Sequence, residues 1–132
     1  MLIRGVDSMN LKMNNEQLEK MLAKYYREEL DFDGKAKLEA TKKYTIQDDY
    51  TYKPTATIMG KMQLAGETYN LEQEIDEKEI IDIINFYFEK EDYKIGDINF
   101  SITHDGYNGP MKCNGITIDI TKKNKVKRKG EI

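Results

Sequence analysis

The chain holds one cysteine, one histidine, two prolines and no tryptophan. The single thiol, Cys113, excludes an intramolecular disulfide and a cysteine-based zinc site, and it fits a reducing compartment. The single imidazole, His104, leaves too few nitrogen ligands for a histidine-built metal centre. No apolar run approaches the ~20 residues that span a bilayer. Residues 1–9 lack the apolar core of a signal peptide. The expected location is therefore cytoplasmic. A phosphate-binding loop is also missing, because Gly106, Gly109 and Gly115 are spread over a hairpin instead of joining a strand to a helix. No catalytic constellation, cofactor motif or internal repeat is read. The expectation is a protein that is not an enzyme and carries no cofactor or metal.

What the sequence has in quantity is charge, tyrosine and isoleucine. Charged residues make up 34 % and hydrophobic residues 39 %, polar for a folded domain but above the disordered range. Lys, Ile, Asn and Tyr are favoured over Arg, Ala, Pro and Trp, the bias of an AT-rich genome; the setting read from it is a low-GC bacterium, its phages or its mobile elements. The net charge of −3 is unevenly spread: residues 67–92 carry ten acids against Lys78 and Lys90, and residues 121–132 carry six bases against Glu131. Such polarity steers partners more than it shapes the fold.

The densest apolar run is 75–88. Asp76 is read as a helix N-cap, with Glu79 completing a capping box. Ile80, Ile81, Ile84, Tyr87 and Phe88 form one broad face. Ile83 and Phe86 fall outside it, so this helix is apolar on more than one side. A first helix is predicted from Asn14 or Asn15 to Leu30, with Asn15 as N-cap and Leu18, Met21, Leu22 and Tyr25 at helical spacing. Strands are predicted at 35–46, 55–64, 68–75, 93–103 and 111–121. Pro54 is admitted only at an edge or a strand start. In the third strand Tyr69, Leu71 and Ile75 are read as inward. Gly115 marks a change of parity and is read as a β-bulge.

The predicted fold is a single α+β domain of order α-β-β-β-α-β-β, mainly antiparallel, with two helices packed on one face of the sheet. Residues 1–13 are read as a flexible arm, 14–121 as the domain and 122–132 as a basic mobile tail. The order α-β-β-β-α resembles that of double-stranded RNA-binding domains. The second helix here opens with acids where that family has a basic start, so no residue is carried over.

Three surfaces are candidates for function. Glu72, Glu74, Glu77 and Asp82, with Ile83 and Phe86, form a candidate protein interface. Tyr50, Tyr52, His104 and Tyr107 are candidate loop contacts. Lys122, Lys123, Lys125, Lys127, Arg128 and Lys129 are candidate nucleic-acid contacts, each placed to neutralise a phosphate. A Cys113 nucleophile with His104 as base is weighed and set aside, because a cysteine inside a strand is ordinarily a small buried hydrophobe. The reading that results is a small protein acting through protein–protein contacts, such as a phage or mobile-element inhibitor or an immunity protein. The alternatives are a nucleic-acid-associated protein using the tail, or a small-ligand binder. A second apolar strip or an unpaired edge strand would make a homodimer.

Overall fold

The computed structural model describes residues 8–44, 49–104, 106–107 and 109–123. Helix α1 spans Asn15–Leu30 and α2 spans Glu77–Lys90. Both begin with a reciprocal capping box. The Asn14 side chain accepts from the Gln17 amide while the Gln17 side chain accepts from the Asn14 amide, and Asp76 and Glu79 do the same for α2. Two orphan donors are thereby satisfied at each helix start.

Six strands complete the α+β fold: β1 (Ser8–Met13), β2 (Gly34–Tyr44), β3 (Tyr50–Leu64), β4 (Glu67–Ile75), β5 (Tyr93–His104) and β6 (Met111–Lys122). All pairings are antiparallel, as expected. The strands form two sheets, β1-β6-β5 and β2-β3-β4, where a single sheet was expected. Residues 8–13 correct the reading of a flexible arm: they form β1, which pairs with β6 from Ser8↔Thr121 to Met13↔Ile116. Residues 1–7 and 124–132, the rest of the arm and most of the tail, lie outside the described residues.

The order β-α-β-β is written twice, and the halves match at a spacing of 62 residues through the first strand, the helix and the second strand, and at 60 in the last strand. Asn14, Gln17, Leu18, Met21, Leu22 and Tyr25 correspond to Asp76, Glu79, Ile80, Ile83, Ile84 and Tyr87. The strand registers repeat the match. The cross-sheet row Ala36–Ile58–Gln73 corresponds to Ile98–Ile118–Leu11, and Leu38–Ala56–Ile75 corresponds to Phe100–Ile116–Met13. An internal repeat, which was not read from the sequence, is therefore present. Each half lends its first strand to the other's hairpin: β1 pairs with β6 of the second half, and β4 with β3 of the first. Tyr25 and Tyr87, equivalent by the repeat, meet edge to face at 6.4 Å where the helices approach each other.

One core joins both halves. Leu18, Leu22 and Tyr26 of α1 and Ile80, Ile83 and Ile84 of α2 are buried with Leu38, Ala56, Ile58 and Ile75 from one sheet and Cys113, Ile116, Ile118 and Ile120 from the other. Gly115 is at the expected bulge: the register slips between Phe100↔Ile116 and Ile102↔Cys113, and φ is 92°. A Cβ at that position would stand 3.0 Å from the Met13 carbonyl oxygen. Pro54 corrects the expected limit of β3, since it lies inside that strand, opposite Ala40. The backbone rule behind the expectation still holds. Strand β4 covers β3 only as far as Ala56↔Ile75, so Pro54 removes no donor from the β3–β4 ladder.

Candidate functional site

Beyond the core, β3 and β4 run on as a projecting hairpin. They join through Ala65 and Gly66, with φ of 53° and 83°, the paired positive values of a type I′ turn. Every residue from Lys61 to Glu74 is exposed. The side of the sheet that carries Ala56, Ile58 and Ile75 into the core continues here as Met62, Leu64, Tyr69 and Leu71. Their exposures run from 38 to 57 %. Alternation correctly gave the side on which Tyr69 and Leu71 lie but not their environment. The expectation that they are inward is corrected because no described element covers the hairpin's outer part.

Facing this strip is the end of α1. Leu30 is 54 % exposed. Phe32 packs edge to face on Tyr26 at 6.3 Å and sits over Gly60, where a Cβ would come within 2.6 Å of the ring. Only glycine admits that close approach. Tyr26, Leu30, Phe32, Met62, Leu71 and Gln73 line an open groove of about 600 Å³. Asp31, Asp33 and Glu72 also line it, and the adjoining groove near Tyr26 and Gln73 includes Glu79 and Asp82. Burial, followed by the charge of Glu79, raises the Tyr26 phenol above its ordinary range. The site therefore has an apolar floor and a rim in which Asp31, Asp33 and Glu72 outnumber Lys61.

The candidate interface from the sequence is divided by the structure. Glu72 and Glu74 are exposed on β4. Glu77 pairs with Lys53 at 3.6 Å and Asp82 with Lys78 at 3.1 Å. Ile83 is only 5 % exposed, which corrects its place in an interface: α2 packs on both its own half and the other, so its second apolar side is also covered. Phe86 is half-buried against Tyr25 and Tyr87, with the Lys90 ammonium 4.9 Å from its ring centre. Met62, Leu64, Tyr69, Leu71 and Leu30 were not identified as a surface. Their signal was the stretch of apolar alternation that continues into a two-residue turn.

The loop candidates do not converge into one site. Tyr50 lies edge to face with Tyr44 at 6.0 Å and with Tyr52 at 5.8 Å, and the Lys42 ammonium is 4.4 Å from the Tyr50 ring centre. His104 donates through Nδ1 to the Gly109 carbonyl at 2.8 Å, and Tyr107 is 95 % exposed. The Cys113 thiol donates to the Glu39 carbonyl at 3.2 Å; burial first, and the charge of Glu39 second, push its pKa up to about 11. That environment suppresses the thiolate a nucleophile requires. Among the described residues no group of three or more His, Cys, Asp and Glu is arranged for a metal ion, and no helix is long and apolar enough to cross a membrane.

Of the basic-tail candidates, Lys122 lies over the Tyr93 ring and Lys123 bonds to Glu89. Lys125, Lys127, Arg128 and Lys129 lie outside the described residues. In comparisons with protein-family models, curated proteins and solved structures, nothing matches this chain.

Proposed function

We propose that this is a small protein-binding module, not an enzyme, and that its contact surface is the projecting β3–β4 hairpin with the end of α1. The observation that supports this reading is the contiguous apolar strip Leu30, Met62, Leu64, Tyr69 and Leu71, left open at the rim of a groove. A soluble domain that leaves large apolar side chains together in water gains by covering them with a partner. The reading places the protein in a reducing cytoplasm. An inhibitor or immunity protein of phage or mobile-element origin is the setting its composition favours. A nucleic-acid role for the tail has weaker support, because the two described tail lysines are engaged within the protein itself.

The test is a double variant, Tyr69→Lys with Leu71→Lys. Both residues lie outside the core, so the melting temperature should stay within a few degrees of the parent. Capture from an extract of the host cell should lose a specific protein that the parent chain retains. The same captured set with both chains would overturn the proposal.

A further inference from the structure

We infer that the outer edge of β4 receives an extended segment of a partner protein in which lysine or arginine alternates with apolar residues. This rests on the protein-binding reading above and gives it a geometry.

The edge is open and regular. Among the described residues nothing pairs with the far side of β4, and its register with β3 runs without a bulge from Leu64↔Glu67 to Ala56↔Ile75. A two-residue loop makes Leu64 and Glu67 a hydrogen-bonded pair, so the ladder groups of 67, 69, 71, 73 and 75 turn toward β3. The amides and carbonyls of Thr68, Asn70, Glu72 and Glu74 then face away from the sheet. A new strand would bond to these groups, as in β-augmentation.

The other edges are blunted. On β2 the Leu38 amide donates to the Glu19 carboxylate at 2.8 Å, and the Glu39 carbonyl accepts from the Cys113 thiol. Strand β5 has two register shifts, and β1 has only six residues. Lysine, bulges and short length are ordinary protections of a sheet edge. Strand β4 has no lysine, proline or bulge and runs for nine residues; its charges, Glu67, Glu72 and Glu74, are all acidic and repel only an acidic strand.

The side chains along this edge define the chemistry of the incoming strand. On one face are Glu72 and Glu74, which lie opposite Met59 and Thr57 and form no ion pair among the described residues. Lys35 and Lys37 share that face but lie two strands away on β2, with Lys61 nearer on β3. On the other face are Tyr69 and Leu71, of which Leu71 lines the groove. An added strand must therefore present cations to one face and apolar groups to the other, which is an alternating basic–apolar segment. A second copy of this chain fits poorly. Pairing β4 with β4 would bring two sets of Glu72 and Glu74 onto one face, and the basic edge of β2 is already occupied.

The test uses an eight-residue peptide alternating lysine and valine, capped at both ends, with an alternating glutamate–valine peptide as control. Binding is measured by titration calorimetry and by amide exchange. The lysine peptide should bind and slow exchange at Thr68, Asn70, Glu72 and Glu74, and the control should not. Glu72→Lys with Glu74→Lys should weaken binding about tenfold, by turning favourable cross-strand pairs into like-charge ones. Asn70→Pro removes an outward amide while keeping the β3–β4 ladder, and should weaken binding about tenfold or more at an unchanged fold. Peptide binding that neither variant alters would overturn the inference. So would a dimer of the unliganded protein that Asn70→Pro dissolves, since the edge would then belong to a second copy. If the peptide fails to bind but Tyr69→Lys with Leu71→Lys still loses its specific partner, strand addition is wrong and the protein-binding reading stands. If neither effect is seen, both are wrong.

Discussion

The two β-α-β-β halves differ most where each hairpin passes the end of a helix. In the first half Gly60 receives the Phe32 ring, and Met62 and Leu64 continue past it into solvent. In the second, Ile120 stands at the position equivalent to Gly60, 5 % exposed, and Lys122 closes over Tyr93, the aromatic residue that follows α2 as Phe32 follows α1. Among the described residues, the position beside the helix end is covered in the second half and left open in the first. Among the described residues, only the first half carries a turn-linked extension past this point, from Gly60↔Leu71 to Leu64↔Glu67, and that extension carries the proposed contact surface.

That comparison is broken or sharpened by substituting equivalent residues in pairs. The largest effect is expected in the shared core. Leu22→Ala and Ile84→Ala remove fully buried side chains at matching positions and should each cost about 2–5 kcal/mol. Denaturant titrations followed by helix ellipticity and by tyrosine fluorescence should give one coincident transition for each variant. Two separate transitions would mean that the halves are independent domains and that the single core is wrong.

A smaller effect is expected at the caps. Asn14→Ala and Asp76→Ala should each cost about 1 kcal/mol in the same titration. The Asp76 loss should shrink with added salt, because its charge also interacts with the helix dipole. Equal salt dependence at both sites would argue against that distinction.

An effect of opposite sign is expected between the paired tyrosines. The Tyr87 hydroxyl is buried with no hydrogen-bond partner among the described residues, and burial raises its pKa, followed by the charges of Glu28 and Glu29. Tyr87→Phe should therefore raise stability by about 1 kcal/mol, while Tyr25→Phe should change it by less than about 0.5 kcal/mol. A loss on Tyr87→Phe would show that the hydroxyl is satisfied.

Both helices were legible because apolar spacing is local, and the cap of α2 was legible because Asp76 and Glu79 stand three residues apart; in α1 the cap is Asn14 with Gln17, one residue before the expected Asn15. The bulge at Gly115 was legible because parity changes there. The two-sheet arrangement was not, since local alternation contains no information on whether Ser8 pairs with a neighbour or with Thr121. The repeat was hidden because its halves share residue character more than identity: Leu18 matches Ile80 and Met21 matches Ile83, and only scattered pairs such as Tyr25 with Tyr87 and Gly34 with Gly96 are the same. Burial was misjudged in both directions for a related reason. A pattern gives the side on which Leu71 or Ile83 lies, while the element that covers it, or its absence, is a long-range property.

The exchange of first strands also governs the order in which this chain acquires structure during synthesis. The β2–β3 hairpin and the strand β4 that follows it adjoin in sequence, so that sheet completes early. The other sheet waits, because β1 pairs with residues of β6 that follow it by about 100 positions or more, from Met13↔Ile116 to Ser8↔Thr121. Contacts of such sequence separation are slow to form. Until residues 116–121 leave the ribosome, β1 remains an unpaired strand, the interval in which the nascent chain is most exposed to aggregation and in greatest need of a chaperone.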